Sequence, residues 1–307
     1  MTTKRDFLKL GDLSLTEARQ VLALSGRLKH EPKGLRTQLL AGSAIAVVLE
    51  KASTRTRVSF EVGCAQLGAH PVVLGVQGSQ LGRGEPIRDT ARVLARYCDA
   101  IVYRTSTSAR LHEMAEAPVP VVNALTDDGH PIQVLCDVFT IEESLGASIA
   151  GKRIAFVGDC GSNMARSWLE AAPLFDFQLV LAGPASHAPP SHEIAAAGRH
   201  VSQVFDPEGA VVGCDVVNTD VWASMGQEAE AAARAHAFDG WTVDAEMLRA
   251  AKPEAIVLHC LPAHRGEEID EATLEGPQSR VWDQAENRLH VQKGLLVWLL
   301  GKAADVH

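Results

Sequence analysis

The sequence predicts an α/β protein of two domains, each a parallel sheet flanked by helices. Short apolar runs alternate with segments of helical spacing along most of the chain, the pattern of strand–helix–strand units. The alternation restarts after Gly151 and Lys152. A length of 307 residues, 46% of them hydrophobic, suffices for about two domains with their own cores.

Ser14 and Glu17 form an S-x-x-E capping box, and helical spacing follows over residues 17–29. Residues 43–50 (SAIAVVLE) read as a buried strand. Residues 57–68 read as a helix, with Val58, Val62 and Ala65 at i, i+4 and i+7. A strand over 70–76, a glycine-rich loop over 77–86, a helix over 87–98 and a strand over 99–105 come next. A short helix over 111–117, a strand over 119–125 and a longer helix over 130–146 complete the first half. The domain boundary is placed within or just after that helix, giving domains over 1–146 and 147–285. In the second half, 153–159, 177–184, 200–205, 214–220 and 254–260 read as strands. The segment 288–300 is strongly apolar and helical, within a final piece spanning 286–307.

The net charge is −9, from 29 Lys+Arg against 38 Asp+Glu. That balance argues against general binding of nucleic acid or an anionic membrane, so any bound anion needs a local cluster. The six cysteines form no CxxC pair and read as free thiols in a reducing compartment. The N-terminal residues lack the apolar segment of a secretory signal, and AIAVVL is far too short to span a bilayer. The expectation is a soluble, cytoplasmic protein.

Functional groups of parallel sheets gather at the carboxyl ends of strands. Both halves supply candidates there, so an interdomain cleft is expected. After the first strand, Ser53, Thr54, Arg55, Thr56 and Arg57 place hydroxyls, guanidiniums and free backbone N–H groups at a helix N-terminus, which makes an anion site. The glycines and lysine of a Walker A loop are absent. For Arg57 a structural salt bridge would serve as well. Gln80 and Arg83 lie in the glycine-rich loop. Arg104 ends a buried strand, where either an anionic ligand or a salt bridge would compensate it. His130 and Gln133 stand one turn apart.

VGDCGSN, residues 157–163, follows a strand, but no G-x-G-x-x-G is present and the next strand ends in Gly183 and Pro184, not an acidic residue. A dinucleotide site is disfavoured, and Asn163 remains as a polar group at the turn. Asp220 ends another strand and can pair with an ammonium, with Ser224 and Met225 close behind. His259, Cys260 and His264 could suggest zinc or a nucleophilic thiolate, but the spacing is unusual for zinc and a fourth ligand is missing.

Taken together, STRTR (53–57), QLGRGE (80–85), Arg104, HPIQ (130–133), Asn163, DVWASMG (220–226), HCLP (259–262) and QAENR (284–288) resemble the aspartate/ornithine carbamoyltransferase family, in its order and approximate spacing. The resemblance implies a carbamoyl-phosphate domain and an amino-acid domain linked by two interdomain helices, with a C-terminal helix returning to the first domain. It implies a homotrimer or assembly of trimers, in which His70 and the loop around Gln80 approach a neighbouring subunit's site. No cofactor and no metal are implied. The loop lacks the lysine of aspartate-specific relatives, and D-x-x-x-S-M-G matches the ornithine-specific branch; N-acetylornithine and putrescine are the alternative acceptors. Ile132, Ser162, Arg166 and residues 183–190 depart from the common pattern without removing a residue of the chemistry.

By that resemblance, Ser53, Thr54, Arg55, Thr56 and Gln80 hold carbamoyl phosphate, with Arg104, His130, Gln133, Cys260, Leu261 and Arg288 completing the catalytic set. Asn163, Asp220, Ser224 and Met225 hold ornithine, whose side-chain amine is carbamoylated to give citrulline and phosphate. Donors at the carbonyl oxygen stabilise the developing oxyanion. Deprotonating an amine with a pKa near ~10.4 at pH 7 costs about 4–5 kcal/mol. Bringing two substrates together offsets roughly 7–11 kcal/mol of barrier, so positioning by domain closure is the expected device.

Overall fold

The structure is a computed structural model that describes residues 4–30, 38–76, 79–223 and 231–305. It divides into two compact units: Met1–Cys136 with Glu286–His307, and Asp137–Ala285. The division falls inside two helices, α5 (Pro131–Leu145) and α11 (Val281–Leu299), so the chain crosses between units within continuous helices. The sequence reading placed the first boundary within or just after the helix over 130–146; the compact units divide inside α5, after Cys136.

The first unit contains α1 (Leu15–His30), β1 (Ala44–Leu49), α2 (Thr54–Leu67), β2 (His70–Gly75), α3 (Ile87–Tyr97), β3 (Ala100–Arg104), α4 (Ser108–Met114) and β4 (Val121–Leu125). Its four strands are parallel in the order β2-β1-β3-β4, and Phe7 adds a short parallel bridge beside β4 at Val122. β1 and β3 are almost wholly buried, which is why they read as continuous apolar runs. One face packs on α3 and α4 through Val48, Ile101, Leu94, Leu111 and Met114. The capping box of α1 forms as expected: Ser14 N–H donates to Glu17, and Glu17 N–H to the Ser14 hydroxyl.

The second unit contains β5 (Arg153–Val157), α6 (Asn163–Phe175), β6 (Gln178–Ala182), α7 (Ser191–Ala197), β7 (Val201–Val204), β8 (Val216–Thr219), α8 (Ala231–Ala237), α9 (Ala245–Leu248), β9 (Ile256–His259) and α10 (Glu271–Leu274). Its five strands are parallel in the order β7-β6-β5-β8-β9. Val157, Val180, Val217 and Val257 form one core with Trp222, Phe238 and Trp241, and Trp222 stacks on Phe238 with centroids 5.3 Å apart.

Two elements start earlier than their apolar pattern. α2 begins at Thr54, capped by the Ser53 hydroxyl, which accepts the Thr56 N–H. α11 begins at Val281, seven residues before the apolar segment, because Gln284 and Asn287 on its first turns are buried and hydrogen-bonded. None of the six cysteines forms a disulfide. Among the described residues no helix is long and apolar enough to cross a membrane.

Candidate active site

Each sheet has one point where the strand order reverses: between β1 and β3 in the first unit, and between β5 and β8 in the second. A crevice opens there beyond the carboxyl ends of the strands, because the following helices leave to opposite faces. Ser53 to Thr56 and Arg104 lie at the first point and Asn163 and Asp220 at the second, while His130, Gln133 and Cys260 follow the edge strands β4 and β9; each half-site is built within its own unit.

In the first unit, Ser53 follows β1 and Arg104 closes β3. Thr56 is the hub. Its buried hydroxyl oxygen accepts from Ser53 Oγ at 3.0 Å, from Arg104 at 3.5 Å and from Arg288 at 3.0 Å. Arg288 comes from α11, 232 residues away in sequence. His130 and Gln133, at the start of α5, are buried in the same unit. Burial holds the His130 imidazole well below its ordinary pKa, and the positive fields of Arg288, Arg104 and Arg55 lower it further. It is therefore a neutral ring facing cations, able to hydrogen-bond but unable to add charge. Nε of Arg55 is buried and has no hydrogen-bond partner among the described residues. Three guanidiniums, a helix N-terminus and hydroxyls are a donor set suited to an oxyanion or phosphate.

Two residues stand apart from that hub. Arg57 is exposed and pairs with Glu61 one turn on, at 3.2 Å. Gln80 lies exposed on a 3₁₀ turn, and no side-chain hydrogen bond joins it to Thr56 among the described residues.

Sequence reasoning missed Glu50, at the end of β1. Its carboxylate accepts from Tyr103 at 2.8 Å, from the Thr105 hydroxyl and from Nε of Arg110 at 3.0 Å, and its N–H donates to the Arg104 carbonyl at 2.9 Å. Burial opposes its ionisation, but the bonds from Arg110, Thr105 and Tyr103 outweigh it and hold the carboxyl below the usual range. The signal available was a carboxylate ending a buried strand, where isolation would be costly.

In the second unit, Asp220 follows β8 and Cys260 follows β9. The Cys260 thiol donates to Asp220 Oδ1 at 3.1 Å, and the Val221 N–H donates to the same oxygen at 2.8 Å. Burial pushes the Asp220 carboxyl up, partly offset by His259 and these two hydrogen bonds. A buried carboxyl raised in this way ionises more readily beside a cation. Asn163 opens α6, whose N-cap Ser162 accepts the Ala165 N–H. Asp159, also unforeseen, pairs with Arg234 at 2.6 Å, and Arg234 donates to the Trp222 carbonyl. Ser224 and Met225 lie outside the described residues.

Asp220, His259 and Cys260 bring ligand atoms within 4.8 Å of one another, as do His264, Glu267 and Glu268. Nδ1 of His259 already accepts the Leu261 N–H and Nε2 bonds Glu268, so the first group offers a metal no open imidazole nitrogen. The Cys260 thiol donates to the Asp220 carboxyl, and both nitrogens of the nearby His259 ring are already engaged, which disfavours a thiolate nucleophile.

A donor set suited to an anion at one switch point and a buried carboxyl at the other suit a transferase with an anionic donor and an amine acceptor. The chain belongs to the aspartate/ornithine carbamoyltransferase family: the carbamoyl-P binding domain matches residues 5–143 and the Asp/Orn binding domain matches residues 150–299. It is 70% identical to the ornithine carbamoyltransferase of Sorangium cellulosum over 97% of this chain and 98% of that relative. The ornithine carbamoyltransferase of Pelobacter propionicus is 50% identical over 97% and 99%. Among solved structures, the ornithine carbamoyltransferase of Pyrococcus furiosus matches with a TM-score of 0.91 and 44% identity, covering 97% of this chain and 98% of that one. That of Burkholderia thailandensis matches at 0.89 and 43%, covering 97% and 99%.

Proposed function

We propose that the protein transfers the carbamoyl group of carbamoyl phosphate to the side-chain amine of L-ornithine, giving L-citrulline and phosphate. The observation that carries this is the hub at Thr56, where Ser53, Arg104 and Arg288 converge beside a neutral His130.

Ser53, Thr54, Arg55 and Thr56 bind the phosphate, with free N–H groups of the first α2 turn as further donors. Arg104, His130 and Thr56 meet the carbonyl oxygen, where negative charge grows during attack. Gln133 and the backbone carbonyls of Cys260 and Leu261 orient the carbamoyl NH2, and Arg288 completes the set. The Leu261 N–H is already bonded to His259, which leaves the carbonyls for that role. Asp220 receives the α-ammonium of ornithine, Asn163, Ser224 and Met225 hold its remaining polar groups, and Cys260 orients the attacking amine.

We assign the working form to a homotrimer or assembly of trimers in the cytoplasm, serving arginine biosynthesis, with Gln80 and His70 reaching a neighbouring subunit's site. The exposed Val58, Val62, Val93 and Tyr97 of the first unit supply apolar surface for such an assembly. The deciding assay supplies carbamoyl phosphate with ornithine, N-acetylornithine, putrescine or aspartate and measures carbamoylated product. Ornithine should be preferred; preference for another amine overturns the acceptor assignment.

A further inference from the structure

The turn after β9 carries Cys260, bonded to Asp220, and Leu261, whose φ is 58°. A bulky side chain is rarely left-handed and stays so only where its surroundings over-determine it. The restraint is visible. The Leu261 N–H donates to Nδ1 of His259 at 2.8 Å, so that nitrogen is an acceptor and the ring proton is on Nε2. Nε2–H donates to Oε1 of Glu268 at 3.0 Å, and the same oxygen accepts the His264 N–H at 2.6 Å. Both side chains are fully buried. The backbone is tied as well: Gln284 accepts the His259 N–H at 2.9 Å, and the Glu268 carbonyl accepts the Val243 N–H at 2.9 Å. A buried carboxylate is costly, and an apolar residue would fill the space without that cost. What the carboxylate adds is a defined ring tautomer, and the tautomer holds the turn.

We propose that Glu268 is a positioning residue for carbamoyl transfer: through the His259 ring it locks Cys260 and Leu261 in the geometry that meets the acceptor amine and the carbamoyl group. The inference rests on the substrate roles given to Cys260 and Leu261 above.

The test compares wild type with Glu268→Gln, Glu268→Ala, His259→Phe and the Glu268→Ala/His259→Phe double variant. Citrulline formation and the Kd for inorganic phosphate are measured for each. Glutamine keeps an acceptor at Oε1, and its amide nitrogen takes the place of Oε2, which faces His264 Nδ1 at 3.8 Å. The Gln variant should stay within about three-fold of wild-type kcat/KM for ornithine, whereas the Ala variant should lose about 100-fold, the scale of a misplaced reacting group. Phosphate Kd should change by less than about two-fold, because the phosphate donors belong to the other unit. His259→Phe should match the Ala variant, and the double variant should be no worse than either, as expected of residues acting as one unit. The ring nitrogen spectrum of wild type at pH 8 should show an unprotonated Nδ1 and a protonated Nε2.

Wild-type ornithine kinetics in Glu268→Ala, multiplying losses in the double variant, or parallel losses in phosphate affinity would each overturn the proposal. Should Glu268→Ala not fold, a 100-fold loss in Glu268→Gln or a ring protonated on Nδ1 overturns it instead. A wild type unable to make citrulline removes the functional reading itself; an active wild type matched by Glu268→Ala removes this inference alone.

Discussion

At the residue scale, charge and burial divide the labour. Nε of Arg55 is buried and makes no hydrogen bond among the described residues, so Arg55→Ala breaks no protein hydrogen bond at that atom and, under the proposed role, leaves the anion one donor poorer. Arg55→Ala should weaken inorganic phosphate and carbamoyl phosphate by roughly 10-fold or more, in the range of one charge-assisted hydrogen bond. Equal weakening of carbamoyl phosphate and ornithine in calorimetry would refute the assignment. Asp220 poses the opposite case. Its folded-state pKa lies above the ordinary 3.8, so the folded state holds more protons than the unfolded one between those values. Stability therefore falls as pH rises through that window and stays lower above it. Asp220→Asn should raise the melting temperature of the ligand-free protein at pH 7 by about 2 °C or more. The gain should shrink as pH falls toward 4, while ornithine binding at pH 7 drops by roughly 30-fold or more. A melting temperature that drops at pH 7 would contradict the burial argument.

At the scale of elements, the strand ends decide where side chains can go. A β-carbon on Gly183 would lie 2.1 Å from the Gly158 carbonyl oxygen, so β6 and β5 leave the sheet with their backbones in contact. Gly183→Ala should cost about 1–3 kcal/mol, measured as a lower urea midpoint, because backbone cannot yield as a flexible side chain would. Gly294 on α11 makes a similar approach to α1: its β-carbon would meet Ser25 Oγ at 2.3 Å. That packing lets the C-terminal helix lie close enough for Arg288 to reach Thr56. The helix starts were partly legible. Ser14 with Glu17 is a local pattern and forms as read, whereas the start of α11 was hidden because its polar residues are satisfied by partners distant in sequence.

At the scale of the whole molecule, the first unit is completed by the last stretch of chain. Residues after Glu286 bring Arg288 to the hub and bury Leu295, Leu296 and Val297. A chain ending at residue 285 should lose the thermal stabilisation that millimolar phosphate gives the full-length protein, and its melting temperature should fall by several degrees, about 2–4 °C for each kcal/mol lost. Retained phosphate protection would show the site to be independent of α11. The complete reaction also has a pH signature. An acceptor amine with a pKa near ~10.4 must lose a proton, so kcat/KM for ornithine should rise between about pH 6 and pH 8. A flat profile in a stopped assay of citrulline would mean that another step limits.

The sequence by itself determined the two-domain parallel α/β architecture, the order of the strands along the chain and which polar groups follow their carboxyl ends. Each is written in local apolar periodicity or in contiguous motifs such as residues 53–57 and 259–262. Only the tertiary structure decided which polar groups meet. Thr56 with Arg288, Glu50 with Tyr103, Thr105 and Arg110, and Asp159 with Arg234 lie far apart in sequence. Glu268 is only nine residues from His259, yet nothing in the spacing announces the contact. The physical reason is that a buried polar atom must find a partner, while the sequence records that it is polar and not which partner the sheet order brings to it. The same holds for Arg57, whose motif is shared with the anion site but whose side chain turns outward to Glu61.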